Sequence, residues 1–183
     1  MKVGLLSYRS HPYSGGQGIY IKHLSRSLKN LGHEVSVLSG PPYPELDEGV
    51  KLIKIPSLGL FESGQRFSAF KLRFLWNPVD LYEWITVMTG GFPEPYTFGK
   101  RVLKRLRKDD IEFEVLLDNQ SLCSSLLEIQ KIYPLVVTIH HPITKDYQLE
   151  MQNASTWQER LSSTRWHNFL PMQKRVAQRL NHI

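Results

Sequence analysis

The sequence predicts an α/β domain built on a doubly wound parallel sheet with helices on both faces. Five short apolar runs have the length and composition of strands, and helical patterns separate several of them, which is typical of parallel strands joined by crossover helices. The composition agrees, because 41% hydrophobic and 22% charged residues are typical of a globular domain. The predicted strands cover residues 2–8, 34–38, 50–55, 113–117 and 135–139.

The strand at 2–8 ends in a glycine-rich loop, and a helix is predicted over 17–31. Ile21, Leu24 and Leu28 recur at helical spacing and give this helix one apolar face, and a glycine at 32 ends it. The order strand, loop, helix therefore opens the chain, and the next two strands follow after short connections.

An aromatic-rich insertion at 56–98 separates the third strand from the fourth and is predicted to form two helices and a loop. Basic residues interleave with the aromatic residues of 67–76, so this stretch resembles an amphipathic helix at a membrane surface. Packing of these aromatic side chains onto the sheet is the alternative we favour. A basic helix with a solvated outer face follows at 100–108. Its inward face contains Val102, Leu103 and Leu106.

The fourth strand leads into a predicted helix over 121–132. Asp118 stands at the end of the strand, where an aspartate more often caps the next helix than acts as an acid or base. Cys123 is expected to be a small buried side chain. As the single cysteine, it excludes an internal disulfide and favours a reducing compartment.

The last part of the chain is predicted to form a long helix over 155–181, kinked or split at Pro171. Residues 182–183 are predicted to open another strand. Because no repeat or linker is visible, we expect residues 1–183 to form one domain that stops abruptly.

Charge and hydropathy limit the partners. Lys and Arg number 23 against 17 Asp and Glu, so the net charge of +6 favours anionic partners such as nucleotides, lipid headgroups or nucleic acid, without choosing among them. No uncharged apolar run approaches the roughly 18 residues that span a bilayer. The apolar run near the amino terminus is too short for a secretory signal, so a cytoplasmic protein is expected.

Glycine and polar residues concentrate in three predicted loops. Ligands of open parallel sheets bind beyond the carboxyl ends of the strands, where the strand order reverses. If the strand at 2–8 lies beside the strand at 113–117, the loops 9–18, 118–121 and 140–146 meet at that edge. The candidate residues there are Gly15, Gly16, Gly18, Asp118, Asn119, Gln120, His140 and His141.

The glycine loop suits a phosphate ligand. Glycines let backbone N–H groups approach an anion, and the positive end of the following helix dipole favours negative charge. A dinucleotide fingerprint would need glycine in place of Ile21 and an acid after the second strand, and no P-loop motif occurs, so NAD and P-loop chemistry are disfavoured. A flexible strand-to-helix turn is an alternative of equal weight.

The adjacent histidines are not expected to chelate one metal ion, because neighbours on an extended segment point to opposite sides. His140 could hydrogen-bond a sugar hydroxyl or exchange a proton near neutral pH. Considered alone, however, a structural histidine is the favoured interpretation.

Three sequence blocks occur in a recognisable order. Gly15-Gly16 is followed by leucines at 24 and 28 and then by Leu31-Gly32-His33-Glu34-Val35. The later blocks are DNQSL at 118–122 and VTIHHPIT at 137–144. Together they resemble the group 1 (family 4) retaining glycosyltransferases, and the resemblance covers the chain outside the aromatic insertion.

The resemblance implies a two-domain enzyme of GT-B architecture. Its Rossmann-like amino-terminal half, here residues 1–183, would shape the acceptor site, and its carboxyl-terminal half would hold most of a nucleotide-sugar donor. Sugar transfer would retain the anomeric configuration and need no metal or other cofactor. The family's glutamate pair in the donor half has no counterpart here, so we expect this chain to lack the donor domain and to be inert alone. A stand-alone nucleotide- or phosphate-binding module is the alternative function.

The resemblance also implies roles for individual residues. His140 would contact the transferred sugar as the catalytic residue, and no residue is expected to bind a metal. Gly15, Gly16 and Gly18 would bind the donor diphosphate. The candidate acceptor contacts are Arg9, Tyr13, Arg66, Asn119, Gln120 and His141.

The acceptor would be a glycolipid, a cell-wall precursor or a small molecule. Peripheral association with the inner face of the membrane is left open. No nucleic-acid partner is expected, although the basic helix at 100–108 keeps that alternative testable.

Overall fold

The computed structural model describes residues 1–61, 71–108 and 111–183. Within these ranges the chain forms five strands and seven α-helices. The strands are β1 (Lys2–Ser7), β2 (Glu34–Ser39), β3 (Lys51–Lys54), β4 (Val115–Asn119) and β5 (Leu135–Thr138). The helices are α1 (Gln17–Asn30), α2 (Pro78–Met88), α3 (Glu94–Lys108), α4 (Leu126–Ile129), α5 (Ile143–Asn153), α6 (Trp157–Trp166) and α7 (Leu170–Ala177), with a 3-10 helix at Leu72–Trp76.

The five strands form one parallel sheet in the order β3-β2-β1-β4-β5. β1 lies at the centre, with Leu5 opposite Val37 of β2 on one side and Leu117 of β4 on the other. The strand order therefore reverses between β1 and β4. This confirms the predicted fold class and the predicted neighbour of the first strand.

Both faces of the sheet are covered, because successive apolar residues of a strand point to opposite faces and each face packs against helices. On one face Leu5 packs with Ile21 of α1. On the other face Leu6 and Leu116 pack with α3, α4 and α7. The predicted inward side of the basic helix is confirmed by the buried residues of α3, which include Val102, Leu103 and Leu106.

The helix predicted over 121–132 is wrong at both ends, because α4 covers only Leu126–Ile129. The Asp118 carboxylate accepts hydrogen bonds from the backbone N–H groups of Ser121 and Leu122, at 2.8 and 3.1 Å, and so closes a turn instead of a helix. Gln120 and Leu122 have φ angles of 56° and 45°, which no right-handed helix contains. Cys123 lies in this turn and is buried, as predicted.

The long helix predicted over 155–181 is split into α6 and α7. The break lies at 167–169, just before Pro171, since proline is tolerated in the first turn of a helix and here stands in the first turn of α7. Residues 182–183, predicted to open another strand, have no strand assignment. The backbone N–H of Val137 in β5 donates to the His182 carbonyl at 3.3 Å, so that strand stays a prediction.

The aromatic insertion contains the 3-10 helix and α2, and α3 begins inside its predicted boundary. Of the aromatic residues of 67–76 that the structure describes, Phe74 is buried and Trp76 is 88% exposed. Phe92, further along the insertion, is buried in a cluster with Phe169 and Leu170. Arg66, Phe67 and Phe70, which were part of the predicted amphipathic helix and acceptor site, lie outside the described residues. Among the described helices, none is both long and apolar enough to cross a bilayer.

Candidate functional site

The three polar loops meet at the carboxyl edge of the sheet, as predicted. They follow β1, β4 and β5, which are consecutive neighbours in the sheet. The strand order reverses between β1 and β4, and a crevice opens there beyond the strand ends. The loop after β5 is shorter than predicted, because α5 begins at Ile143. The site is therefore built from strand ends that are far apart in the sequence.

His140 lies where these loops meet. Its backbone N–H donates to Oε1 of Gln120 at 2.8 Å, and its ring Nε2 lies 2.5 Å from Oδ1 of Asn119. The ring also packs edge-on against Tyr20, with 4.4 Å between ring centroids. The backbone N–H of Tyr20 donates to the carbonyl of Gly16 at 2.8 Å. The imidazole therefore contacts the first turn of α1 through Tyr20, which lies one helical turn after Gly16.

Gln120 fixes the histidine segment. Besides accepting from His140, its Oε1 accepts from the backbone N–H of His141 at 3.2 Å, and its Nε2 donates to the His141 carbonyl at 2.5 Å. The residue is buried and its φ angle is positive, a backbone conformation that costs free energy in a residue other than glycine. The side-chain amide is thus committed to the loop after β5.

A network of buried hydroxyl groups supports Asn119. Its Nδ2 donates to Oγ of Ser7 at 3.4 Å. Ser10 Oγ lies 2.7 Å from Ser7 Oγ and 3.0 Å from Ser39 Oγ. All three serines are fully buried at the ends of β1 and β2. Because Asn119 donates to Ser7, its Oδ1 is the acceptor toward His140, and the imidazole presents N–H at Nε2.

The glycine loop leaves the start of α1 open. Gly15 and Gly16 have φ angles of 80° and 70°, which side chains other than glycine rarely adopt, and a Cβ at either position would meet nothing within 4 Å. α1 has no side-chain cap and no acidic residue in its first turn. The positive end of its dipole is therefore not compensated by a side-chain cap or by an acidic residue of its own first turn, which suits an anion.

Gly18 is needed for a different reason. A Cβ there would lie 2.1 Å from the carbonyl oxygen of His11 and 2.6 Å from that of Ser10. The first turn of α1 consequently packs directly on the backbone of the loop after β1. This packing accounts for glycine at position 18, and its contact with a diphosphate stays a prediction.

Asp118 is buried below the rim. Its carboxylate accepts from Ser121 Oγ at 2.5 Å as well as from the two backbone N–H groups described above. Burial raises the pKa of Asp118 to about 6, and these hydrogen bonds oppose part of that shift. The side chain thus has a structural role, but it closes the turn after β4 and does not cap the helix that was predicted to start at 121.

The other candidate residues have partners at the periphery. The Arg9 guanidinium lies 3.5 Å from the Glu94 carboxylate. The exposed Tyr13 hydroxyl donates to Glu45, and the ring of His141 bonds Asp146. Because the two histidine rings have different partners, they do not converge on one point. Within the described residues, no group of three or more His, Cys, Asp or Glu side chains could hold a metal ion.

A cleft of about 990 Å³ adjoins the rim beyond β5. It runs between α5 and the α6–α7 pair, and its lining includes Gln120, His141, Tyr147 and Lys174. Its volume is that of a small-molecule site. The loop after β5 therefore separates the glycine loop from a cavity that could hold a second ligand.

Sequence reasoning missed the contact between Tyr20 and His140 and the serine network. Tyr20 precedes a buried isoleucine in α1, so its position off the apolar stripe was the available signal. The serines stand at strand ends, where small polar residues are common, and the sequence offers no sign that three of them meet.

The chain was compared with protein families, with curated proteins and with solved structures. The model of Glycosyltransferase Family 4 matches residues 14–183. A curated relative, the MMP alpha-(1->4)-mannosyltransferase of Mycolicibacterium hassiacum, is 47% identical over 185 residues. The alignment covers all of this chain and 45% of the relative, so the chain spans about half the length of the curated relative it matches. Among solved structures, sucrose-phosphate synthase from Thermosynechococcus elongatus matches 96% of this chain and 40% of its own, with a TM-score of 0.49 and 16% identity.

Proposed function

Because the chain belongs to glycosyltransferase family 4, we propose that the protein transfers a sugar from a nucleotide-sugar donor to a hydroxyl of an acceptor, with retention of anomeric configuration. The relative named as an alpha-(1->4)-mannosyltransferase supports mannose as the transferred sugar. The structural observation that carries the proposal is the position of His140 at the rim, where its ring contacts Tyr20, the residue one helical turn after Gly16 of the open glycine loop. In this proposal residues 1–183 are the acceptor-side domain of a GT-B enzyme.

The glycine loop binds the diphosphate of the donor. Sugar transfer leaves negative charge on the diphosphate, and backbone N–H groups at a helix start stabilise that charge without rearranging. Gly15 and Gly16 leave room for the phosphate oxygens, since apart from the residues adjacent in sequence nothing lies within 4 Å of where their Cβ atoms would be. Gly18 would add its backbone N–H to the same site.

His140 contacts a hydroxyl of the transferred sugar. Its Nε2 is engaged by Asn119, so the ring is held in one orientation before the donor arrives. Such preorganisation matters because a ring that had to be ordered on binding would lose part of its interaction free energy. Asn119 and Gln120 act through His140 in this proposal, since their amides already bond the histidine segment.

The acceptor binds on the same rim, with Arg9, Tyr13 and His141 as candidate contacts. The cleft beyond β5 has room for a sugar-sized acceptor. A glycolipid, a cell-wall precursor and a small molecule all remain candidates. The proposed transfer requires no metal ion.

The test is the substitution His140→Ala in the intact protein. We expect transfer of radiolabelled mannose from a nucleotide-linked donor to fall about 100-fold or more, as when one transition-state contact is lost. The thermal unfolding midpoint should change by no more than about 2 °C, because the ring stands at the surface of the rim. His23→Ala, an exposed histidine of α1 outside the rim, is the matched control and should retain full transfer.

Two outcomes would contradict the proposal. A His140→Ala variant that loses stability in proportion to activity would return His140 to a structural role. Tight binding of a nucleotide sugar by the intact wild-type protein, without turnover for any acceptor class, would favour the stand-alone binding module instead.

A further inference from the structure

A second cleft, of about 650 Å³, lies at the opposite edge of the sheet. It is bounded by α3, by the 3-10 helix with the start of α2, and by the segment after β3. We call it the basic cleft because of its lining. The cationic side chains that line it beside Arg101 are Lys54, Arg73, Lys100, Lys104, Arg105 and Lys108.

The net charge of the chain is concentrated in this cleft. With Arg101, the lining holds seven of the 23 Lys and Arg residues, and only one of the 17 Asp and Glu residues, Asp80. Subtracting seven from 23 and one from 17 leaves 16 of each sign, so the rest of the sequence is balanced. The lining residues thus carry a formal charge equal to the net charge of the chain, and within the lining the Arg101 cation is paired with Asp80 and with the neighbouring Glu83.

Three separate elements bring these cations together. Lys100, Lys104 and Lys108 recur every four residues along one side of α3, while Lys54 and Arg73 come from segments far away in sequence. Like charges that converge repel one another, and that repulsion is relieved when an anion binds. A merely solvated helix face would not need the two additional cations from other elements.

Several of the cations are already oriented. Lys54 Nζ lies 4.9 Å from the centroid of the Tyr43 ring, and Lys100 Nζ lies 5.6 Å from that of Tyr96. Arg101 is held by Asp80 and Glu83 at 2.6 and 2.5 Å. A ligand would thus meet a partly ordered set of charges, which lowers the entropic cost of binding.

The basic cleft is distinct from the rim around His140. β3 and β5 are the two edges of the sheet, four strand spacings apart, which corresponds to about 19 Å. The cleft begins beyond the end of β3 and the histidine beyond the end of β5. One small ligand would not fill both.

We propose that the basic cleft binds a small ligand with two or more phosphate groups. Lysine ammonium groups and arginine guanidinium groups are the usual partners of phosphate, and the cavity volume is that of a small-molecule site. A nucleic acid would need an open track rather than a walled cleft. The proposal does not depend on sugar transfer, so its test needs no turnover.

The phosphate groups can come from a soluble compound or from lipid headgroups. Leu72, Leu75 and Trp76 are exposed on the 3-10 helix that contributes Arg73 to the cleft. Exposed apolar side chains beside basic ones suit an anionic bilayer surface. The experiment therefore has one arm for each source.

The first arm titrates inorganic tripolyphosphate into the intact protein by calorimetry, at about 150 mM salt so that only close contacts count. We expect one binding site in the wild type. In the double variant Lys104→Glu/Lys108→Glu the affinity for tripolyphosphate should fall by a factor of about ten or more. Lys131→Glu/Arg175→Glu changes the net charge equally at exposed positions outside the cleft and should bind nearly as the wild type does. Circular dichroism checks folding, and Lys104→Gln/Lys108→Gln replaces the first variant if it fails to fold.

The second arm mixes the protein with phosphatidylcholine vesicles with and without phosphatidylglycerol. Sedimentation with the anionic vesicles only, reversed by tripolyphosphate, would support the proposal with a lipid source. Tripolyphosphate binding without sedimentation would support it with a soluble source. The proposal would be overturned if tripolyphosphate did not bind at about 1 mM, or if both Glu double variants lost affinity for it equally. Displacement of tripolyphosphate by a short RNA at much lower concentration would overturn it in favour of a nucleic acid.

Discussion

His140 and Asp118 show how two side chains at adjacent strand ends take different roles. His140 is exposed at the rim, with its ring oriented by Asn119 and its backbone by Gln120. Asp118 lies one residue before Asn119 but is fully buried, and its carboxylate accepts hydrogen bonds within the turn that follows β4. Because neighbouring residues of a strand point to opposite faces, Asp118 and Asn119 are directed apart at the end of β4, and Asn119 is the one that reaches the ring of His140.

The buried carboxyl of Asp118 should make stability depend on pH. Its pKa is raised by burial to about 6 from 3.8. Between these values the folded protein holds one more proton than the unfolded chain, so the free energy of unfolding falls as pH rises through this window. The contribution is present below about pH 4, and about 3 kcal/mol of it is lost by pH 7.

Denaturant unfolding of the wild type and of Asp118→Asn at several pH values between about 4 and 7 measures this effect. The difference between their unfolding free energies should change across the window. Glu112→Gln, at a side chain 87% exposed, should follow the wild type at every pH. Parallel curves for wild type and Asp118→Asn would show that Asp118 does not titrate in this range.

Helices α2 and α3 are joined by a buried ion pair. Arg101 of α3 lies between Asp80 and Glu83 of α2, and Glu83 also accepts from the backbone N–H of Leu58 at 2.9 Å. The guanidinium is 13% exposed and the Glu83 side chain 3%. Three segments of the insertion region are thus tied to one cation.

Arg101→Ala should therefore lower the free energy of unfolding by about 3 kcal/mol, because it leaves two carboxylates without their cation in a poorly hydrated site. Arg107→Ala is the matched control on the same helix. Its partner Glu128 is also one helix away, but both side chains are about half exposed, so the loss should stay below about 1 kcal/mol. Denaturant midpoints compare the two, and equal losses would contradict the importance of burial.

The elements that sequence reasoning predicted well are those defined by local apolar pattern. The strands at 34–38 and 135–139 and the helix after the glycine loop differ from β2, β5 and α1 by a residue at most at each end. The helix at 121–132 was wrong because its start is decided by positive φ angles at Gln120 and Leu122. Neither glutamine nor leucine favours a positive φ angle, so the sequence does not predict that conformation.

At the scale of the whole molecule, the parallel sheet decides what meets what. It brings the loops that follow β1, β4 and β5 to one rim. The pattern of strands in the sequence, with the rule that ligands of open sheets bind at the carboxyl ends of the strands, could predict this arrangement. The contact of Tyr20 with His140 depends on how far α1 approaches β5, and the basic cleft depends on the path of the insertion. Neither distance is encoded in a local pattern, so both required the structure.

The central position of β1 should be visible in hydrogen exchange. β1 pairs with a strand on each side, whereas β3 pairs, among the strands of the described residues, only with β2. Opening the centre of a sheet requires disrupting more of the fold than fraying its edge. We therefore expect the amide of Leu5 to exchange much more slowly than that of Ile53 under native conditions, as followed by nuclear magnetic resonance or mass spectrometry. Equal protection of the two would contradict this order of stability.

The same central strand has two partners made at different times. β2 leaves the ribosome soon after β1, but β4 ends about 80 residues after β2, which at ordinary rates of synthesis is about 4 to 16 s. During that interval the nascent chain displays one side of β1 as an unpaired hydrogen-bonding edge. Such an edge is a template for association with another chain. Factors that shield emerging polypeptides should therefore act on this protein before its 115th residue is translated.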